Sequence, residues 1–365
     1  MNTDRFRDEV RHWLDSHDLT PGDDHSFDAQ VAQLSRVRRA LFDAGWMRYG
    51  WPEEVGGLGG APILRAVLGE EVATRNLAEP GIYSMIEVLA PTMISYAAPE
   101  LAADMVPRLL NGDEQWCQGF SEPGSGSDLA SLTTRAVQAG DTWIINGQKV
   151  WTSLAQFAQR CVLLTRTGPG HDGITAFFVD MDTPGITVRP LRTLHGVDEF
   201  AEVFFDDVVV PAHRMLGRPG DGWRLAMDLL PHERSTCFWH RIAYLFSTMD
   251  KLIGDAEQVD DLRLGEAYLA AHTVRCRSYA TQQRLAAGAA LGPETSVDKV
   301  LLATTEQQIF DTYRDLVPGA VEWDDETLRS EYLYSRAATI YGGTAEIQRN
   351  IIARRLLHLG RGDSG

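Results

Sequence analysis

The sequence predicts a protein of three successive units, the first helical, the second rich in β-strands and the third helical again. Two observations support this prediction. Apolar residues recur at spacings of three and four over 1–113 and again over 219–365, as on the buried side of a helix. Between them, residues 114–218 hold short runs of β-branched and aromatic residues separated by Gly, Pro, Asp and Asn. That texture favours a small antiparallel sheet or barrel.

Each unit shows its own local pattern. In the first, Phe6, Val10 and Leu14 share one helical stripe that must pack against something. The second contains runs such as AEVFFDDVVV at 201–210, whose Val and Phe content is typical of strands. In the third, apolar residues step by three and four from Phe238 onward. The three patterns predict a helical domain, a β domain and a second helical domain.

Composition limits the class of protein and its partners. The 365 residues exceed what one compact core usually holds. Apolar residues make up 44% and charged residues 23%, which fits a soluble globular protein. A net charge of −17 argues against nucleic acid or an anionic membrane as the main partner. No run approaches the roughly 20 apolar residues of a membrane span.

The cysteines and the start of the chain bear on location. None of the four cysteines lies in a C-x-x-C pair, so no metal or redox motif is visible. Their pattern fits reduced core residues. Residues 1–18 are charged and lack the apolar core of an export signal. These features predict a cytoplasmic protein without a metal site.

The densest motif is the segment QGFSEPGSGSD at 118–128. Its glycines at 124 and 126 allow the backbone to approach a ligand closely. Ser121 and Ser127 add hydroxyl groups, and free N–H groups in such a loop favour anionic or carbonyl oxygens. A plain turn between strands has the same composition, so this motif alone leaves both interpretations open.

A second motif, QKVWTS at 148–153, follows about 25 residues later. Trp151 can stack on a flat ring while Thr152 and Ser153 form hydrogen bonds with its edge. A core tryptophan followed by polar turn residues is the alternative, and the pattern does not separate the two.

Five motifs taken together carry more information than any one of them. They are WPEEVGGLGG (51–60), FSEPGSGSDLASLTTRAV (120–137), INGQKVWTS (145–153), LLPHER (229–234) and IYGGTAEIQRNIIARRLL (340–357). In this order and spacing the chain resembles the acyl-CoA dehydrogenase family over nearly its whole length.

The resemblance implies a fold, a cofactor and a substrate class. The fold would be acyl-CoA dehydrogenase-like, with an N-terminal α-helical domain at 1–113, a middle antiparallel β domain at 114–218 and a C-terminal four-helix bundle at 219–365. FAD would lie between the β domain and the bundle, and the substrate would be an acyl-CoA. By position, the flavin or substrate would be lined by Gln118, Phe120, Ser121, Gly126, Ser127, Trp151, Thr152 and Ser153.

Family members also suggest individual contacts. The residue matching Ser153 contacts flavin N5, and the residue matching Ser127 lies near the CoA end of the thioester. Thr344 can cap the helix that follows it. Glu346 lies in the first turn of that helix, whose N-terminus favours oxygen-rich groups. The family places this turn beside the flavin, so both residues are expected to bind the cofactor.

Desaturation of a thioester needs a base for the α-proton while a hydride leaves the β-carbon for flavin N5. A carboxylate is suited to this, because burial raises its pKa and the bound thioester acidifies the α-carbon. Many family members carry this glutamate in a Tyr-Glu-Gly-Thr segment near the C-terminus. Here the segment is YGGT at 341–344, so the usual base is absent.

A second arrangement occurs in isovaleryl-CoA and long-chain dehydrogenases, which place the glutamate on an earlier helix before an arginine. This chain has PHER at 231–234, so the resemblance assigns the base to Glu233 and leaves Gly342 to provide space. Gly342 can still donate its N–H to the thioester carbonyl. Arg234, Gly343 and Ser127 would contact the substrate. The alternative is a surface glutamate paired with a nearby arginine.

Two FAD-binding features of homotetrameric family members are altered. Their Arg-x-x-Phe-Gly segment, which binds the diphosphate of a neighbour's FAD, is replaced by the acidic DAEQVDD at 255–261. Their Gln-x-x-Gly-Gly loop is replaced by QIFDT at 308–312, where a carboxylate would repel a diphosphate. We therefore expect a related second subunit to complete the site, as in heteromeric dehydrogenases of steroid-degrading bacteria. A homo-oligomer that binds FAD through other residues is the alternative.

Several functional questions stay open in the sequence. The resemblance implies an electron-transfer flavoprotein as electron acceptor. There are three alternative interpretations. The substrate could be a carrier-protein-bound acyl group, the enzyme could be a flavin oxidase or monooxygenase, or the chain could be a non-catalytic partner subunit. Aromatic residues between Cys237 and Tyr244 fit either an acyl pocket or a packed core, so the identity of the acyl group cannot be read.

Overall fold

A computed structural model of the chain describes residues 2–78, 80–256 and 261–360. The N-terminal part is helical, as predicted. Asn2 and Ser26 accept hydrogen bonds from backbone N–H groups and cap the first two helices. The predicted stripe of apolar residues on the first helix is buried. The helices are α1 (Thr3–Asp15), α2 (Phe27–Asp43), α3 (Ile63–Thr74), α4 (Pro80–Tyr96) and α5 (Pro99–Leu110).

The middle part forms an eight-stranded sheet within the described residues. Along the sheet the order is β6-β7-β3-β2-β4-β5-β8, and β1 pairs with β4 at one side. The strands are β1 (Trp116–Gly119), β2 (Arg135–Ala139), β3 (Thr142–Ser153), β4 (Arg160–Arg166), β5 (Ile174–Asp180), β6 (Ile186–Leu191), β7 (Phe200–Pro211) and β8 (Met215–Leu216).

The prediction of an antiparallel sheet is confirmed for most pairs, including β3 with β7 and β4 with β5. It is wrong for two pairs, since β1 and β2 both run parallel to β4. The physical reason is connection length. Neither strand is joined to β4 by a hairpin: residues 120–159 separate β1 from β4, and β3 lies between β2 and β4 in the chain, so both connections are long enough for a parallel pairing.

The C-terminal part returns to helices. Its first two helices join without a break through a wider π-helical turn, Glu233–Cys237, which begins directly after Pro231 and His232. Helices α7, α8 and α9 pack against one another, and α10 and α11 pack on α9. The elements are α6 (Gly222–His232), α7 (Phe238–Asp255), α8 (Leu262–Ala286), α9 (Thr295–Leu316), α10 (Glu326–Ser335) and α11 (Ala345–Ile351).

Three apolar clusters hold these parts together. One joins the N-terminal helices to one face of the sheet and to α6, a second lies within the C-terminal helices, and a third covers the other face of the sheet. The π turn packs against α4, α8 and α9, where the helical parts meet. Among the described helices, none has both the length and the apolar character needed to cross a bilayer.

Candidate active site

Glu233 is the first residue of the π turn between α6 and α7. Pro231, just before it, has no N–H to donate within the helix and disturbs regular α-helical hydrogen bonding. Single π turns inside α-helices are frequent at functional sites. The widened turn sets the direction in which the side chains after His232 leave the helix.

The carboxyl group of Glu233 lies against Gly342. A Cβ atom built on Gly342 would be only 2.8 Å from Glu233 Oε1. Gly342 also has a φ of +63°, a left-handed conformation that side chains rarely adopt. The structure therefore brings the two predicted residues together, and the carboxylate takes the space that a side chain at 342 would need. Glu233 does not lie on the outer surface as a solvated ion pair.

Burial dominates the electrostatics of this carboxyl group. Burial raises the pKa of Glu233 above its ordinary value, while the charges of Arg234 and Lys299 and a hydrogen bond from Gln118 oppose that rise. The residue as a whole is half-buried. A carboxylate with a raised pKa is matched to accepting a proton near neutral pH.

The glycine turn at 341–344 is fixed by hydrogen bonds from two side chains. Arg234 Nε donates to Gly342 O at 3.2 Å, and Gln348 Nε2 donates to the same oxygen at 3.1 Å. Gln348 Nε2 also lies 3.2 Å from Gly343 O. A Cβ on Gly343 would be 2.4 Å from Gln348 Nε2 and would displace that side chain, and the φ of +90° at this position itself favours glycine. Sequence reasoning did not identify Gln348, although it lies within the last of the five motifs.

The residues after the turn divide into two groups. Thr344 Oγ1 accepts a hydrogen bond from Ile347 N at 3.3 Å, which confirms the predicted cap of α11. Glu346 is 79% exposed at its side chain and lies 4.0 Å from Arg349. Contact of Thr344 or Glu346 with a flavin stays a prediction.

An ion pair holds the loop at 118–128, and sequence reasoning did not identify it. Lys149, which has no exposed surface, donates from Nζ to Glu122 Oε1 at 2.8 Å and to Phe120 O at 3.0 Å. The Glu122 carboxylate also accepts from the backbone N–H groups of Thr133 and Thr134. Both charged residues belong to the five motifs, which was the available signal. They fix the shape of the loop rather than line it.

The residues at the end of β3 fit a flat ring with a polar edge. Trp151 is 61% exposed, has a φ of +59° and meets Phe200 edge to face at 6.0 Å. The alternative of a core tryptophan is therefore wrong. Thr152 Oγ1 and Gln118 Oε1 are buried and have no hydrogen-bond partner within the described ranges. Unsatisfied buried oxygen atoms beside an exposed aromatic ring are what a bound isoalloxazine would complete.

The remaining predicted residues differ in exposure. Phe120 is buried and Ser121 and Ser153 are half-buried, whereas Gly126 and Ser127 are exposed. No atom lies within 4 Å of a Cβ built on Gly126, so that part of the loop is open to a ligand.

A wide cleft of about 1310 Å³ opens near this site. Its walls come mainly from residues within 21–36, 76–78, 190–199 and 325–334, and neither Glu233 nor any other predicted site residue is among them. Tyr334 lines the cleft and stacks on Tyr341, with ring centroids 5.6 Å apart. This ring contact connects the cleft wall to the glycine turn, whose own residues do not line the cleft.

Comparison with known proteins gives the family. The chain matches the N-terminal domain of acyl-CoA dehydrogenase at 2–113, the middle domain at 117–208 and the C-terminal domain at 220–357. The chain belongs to the acyl-CoA dehydrogenase family. Acyl-CoA dehydrogenases are flavoprotein oxidoreductases that act on the CH–CH bond of an acyl-CoA, and this chain is such an enzyme.

Relatives of this acyl-CoA dehydrogenase cover it from end to end. It is 38% identical to acyl-CoA dehydrogenase IpdE1 of Mycobacterium tuberculosis, with 100% of both chains covered. Among solved structures, a variant of the Tcur3481-Tcur3483 steroid ACAD matches with a TM-score of 0.86 and 25% identity over 99% of each chain. The ChsE4-ChsE5 complex from Mycobacterium tuberculosis matches with a TM-score of 0.82 and 25% identity, over 99% of this chain and 98% of that one.

The segment at 308–312, where the resemblance predicts an altered diphosphate loop, is regular in structure. Residues 308–312 lie inside the continuous helix α9, Thr295–Leu316. Asp311 pairs with Arg336 at 3.1 Å. Backbone N–H groups inside a helix are already hydrogen-bonded, so this dehydrogenase presents no glycine turn to a diphosphate at that position. Of the acidic stretch at 255–261, residues 257–260 lie outside the described residues.

Proposed function

We propose that this dehydrogenase removes the α-proton of an acyl-CoA with Glu233 and binds FAD as its flavin. The proposal rests on one observation: the carboxylate of Glu233 lies where a side chain at position 342 would be. In family members with a Tyr-Glu-Gly-Thr segment, the catalytic glutamate matches the position of Gly342 in this chain. Here the carboxylate of Glu233 reaches that position from the π turn.

The chain's own residues have separable tasks in this proposal. Glu233 accepts the α-proton, and burial, which raises its pKa, favours the protonated carboxyl group that results. Arg234 Nε, through its bond to Gly342 O, fixes the turn beside the thioester. The N–H of Gly342 donates to the thioester carbonyl and stabilises negative charge that develops there. A bound flavin supplies the hydride acceptor.

The cofactor and substrate residues follow the same logic. Trp151 would stack on the flavin, and Thr152, Ser153 and Gln118 would form hydrogen bonds with it. Phe120, Ser121, Thr344 and Glu346 would complete the set of residues that hold it. Gly126 would also contact the cofactor. Ser127 and Arg234 would lie near the CoA end of the substrate, and Gly343 would contact the substrate as well. The unsatisfied oxygens of Thr152 and Gln118 support this placement most directly.

The decisive experiment is anaerobic reduction of the flavin by acyl-CoA, followed as loss of flavin absorbance. E233Q keeps the size of the side chain and removes its basicity, so we expect reduction about 100- to 10,000-fold slower, as is typical when a general base is lost. E9Q is the control, because Glu9 forms an exposed pair with Arg5 far from the turn. Reduction by E233Q at the wild-type rate would overturn the base assignment and favour a non-catalytic partner subunit.

We further propose that a related subunit completes the FAD site. Helix α9 runs through 308–312, and Asp311 adds negative charge where family members place glycines. Two similar solved structures are named as pairs, Tcur3481-Tcur3483 and ChsE4-ChsE5. Expressed alone, the chain should purify with little flavin and regain it on co-expression with the partner. A homo-oligomer carrying one flavin per chain would contradict this.

Three further assignments stay predictions. They are the domain limits at 113 and 218, an electron-transfer flavoprotein as acceptor, and the cytoplasmic location. The acyl group is best sought with a panel of acyl-CoAs in the same anaerobic assay. Because one similar structure is named a steroid ACAD, the panel should include steroid side-chain thioesters beside straight-chain ones and a carrier-protein thioester.

A further inference from the structure

A buried lysine lies beside the proposed base. Lys299, on α9, has only 1% of its surface exposed. Its Nζ donates to Ala338 O at 2.6 Å and lies 3.9 Å from the ring centroid of Tyr341. Burying an ammonium group is unfavourable unless opposite charge or hydrogen bonds compensate for lost hydration. One carbonyl and two aromatic rings, Tyr341 and, at 5.5 Å, Phe238, give partial compensation, so the position of the negative charge near Lys299 matters.

Lys299 and Glu233 both approach the position that a side chain on Gly342 would occupy. A Cβ on Gly342 would be 3.6 Å from Lys299 Cε and 2.8 Å from Glu233 Oε1. The lysine thus contacts Ala338, just before the glycine turn, and Tyr341, the first residue of the turn. It lies near the same side-chain position of Gly342 as the carboxylate of Glu233.

The other charged groups around Lys299 already form ion pairs or hydrogen bonds with other residues. Glu306, on the same helix, pairs with Arg241 at 2.8 Å, and Tyr341 donates to it at 3.4 Å. Arg234 is the other cation facing Glu233, and it donates to Gly342 O. Lys299 is influenced by the charges of Glu233, Glu306 and Arg234. Glu233 is therefore the negative group near Lys299 without an ion pair of its own among the described residues.

We propose that Lys299 is a positioning residue for the reaction, holding the glycine turn in place and keeping Glu233 ionised before substrate binds. This inference rests on the proposed function, because it acts through Glu233. Its two parts are separable. The hydrogen bond to Ala338 O and the contact with the Tyr341 ring fix the turn, while the positive charge acts on the carboxylate.

The direction of the electrostatic effect supports the second part. The charge of Lys299 lowers the pKa of Glu233 against the effect of burial. Burial lowers the pKa of Lys299 to about 8, and the charge of Glu233 opposes that decrease. At neutral pH the lysine is therefore still largely cationic. Removing its charge should raise the pKa of Glu233 and move the acidic limb of the pH–rate profile to higher pH.

Three variants of the holoenzyme, purified with its flavin and partner, test this. K299M removes both charge and hydrogen bond, K299Q removes the charge but keeps a donor for Ala338 O, and K299R keeps the charge. Rates of anaerobic flavin reduction are measured from pH 5 to 9 with one saturating acyl-CoA. We expect K299M and K299Q to move the acidic limb up by about 1 pH unit or more, and K299R to leave it near the wild-type position.

The control is K251M, since Lys251 is a half-exposed lysine on α7 that pairs with Asp255; it should keep the wild-type profile. Thermal melting and far-ultraviolet circular dichroism identify folded variants, and K299Q replaces K299M if the latter does not fold. If E233Q is inactive but folded K299Q keeps the wild-type acidic limb, the role of Lys299 is refuted while the base assignment stands. Wild-type reduction by E233Q overturns the base assignment and this inference with it.

Discussion

Adding one methyl group to Gly342 tests how the base and the glycine turn fit together. In G342A the new Cβ would lie 2.8 Å from Glu233 Oε1, whereas unstrained contacts lie at roughly 3.5 Å. The carboxylate must therefore retreat by about 0.7 Å. A displacement of about 1 Å at a reacting group lowers a rate about 100-fold. We expect flavin reduction by acyl-CoA to slow about tenfold or more.

The same change has a separate effect on stability. Alanine at a φ of +63° costs about 1–2 kcal/mol in the left-handed region. The clash itself adds little, because a glutamate side chain can move. For a chain of this size the melting temperature should fall by only a few degrees. The variant should therefore be folded and hold its flavin, but react slowly.

A matched control separates strain from displacement. Gly140, in the turn between β2 and β3, has a φ of +62° and no atom within 4 Å of an added Cβ. G140A should lose similar stability and keep the wild-type rate in anaerobic stopped-flow measurements. If G342A reduces its flavin as fast as G140A, the carboxylate is not held against the turn and the reasoning fails.

Three further outcomes follow from the same contacts. Because Glu233 must be ionised to take a proton and burial raises its pKa, flavin reduction should fall as pH decreases through a limb above the ordinary value of 4.5; a limb at or below 4.5 would contradict this. E122Q leaves buried Lys149 uncompensated and should destabilise the protein by about 3–5 kcal/mol in urea unfolding. Against the effect of burial, the charge of Lys149 lowers the pKa of Glu122 to about 2, so its stabilising effect is present above about pH 4.5 and fades as pH falls toward 2; equal pH dependence in wild type and E122Q would argue against it. Finally, the double variant E233A/G342E moves the carboxylate from the π turn to the glycine turn. It should reduce flavin faster than E233A, though more slowly than wild type because the backbone at 342 is strained. Equal rates for E233A and E233A/G342E would contradict the inference that both glutamates place a carboxylate at the same point.

The sequence alone established the parts of this protein that depend on local pattern. Helical stripes, strand runs and turn residues repeat within a few positions, so the helical, β and helical order could be read directly. The cap at Thr344 has the same local origin. The pairing of Glu233 with Gly342 was also within reach, since an unusual gap in one motif and a glutamate in another were visible together in the family resemblance.

Only the tertiary structure decided which distant groups meet at the site. Lys299 lies in none of the five motifs, and Gln348 and the Glu122–Lys149 pair have no local signal beyond theirs. Their contacts are set by how α9, α11 and the strands pack. The parallel pairing of β1 with β4 is likewise a long-range outcome. Side-chain periodicity specifies which face of an element is buried, but not which partner covers it. The electrostatic environment of Glu233 therefore could not be predicted from its neighbours in the chain.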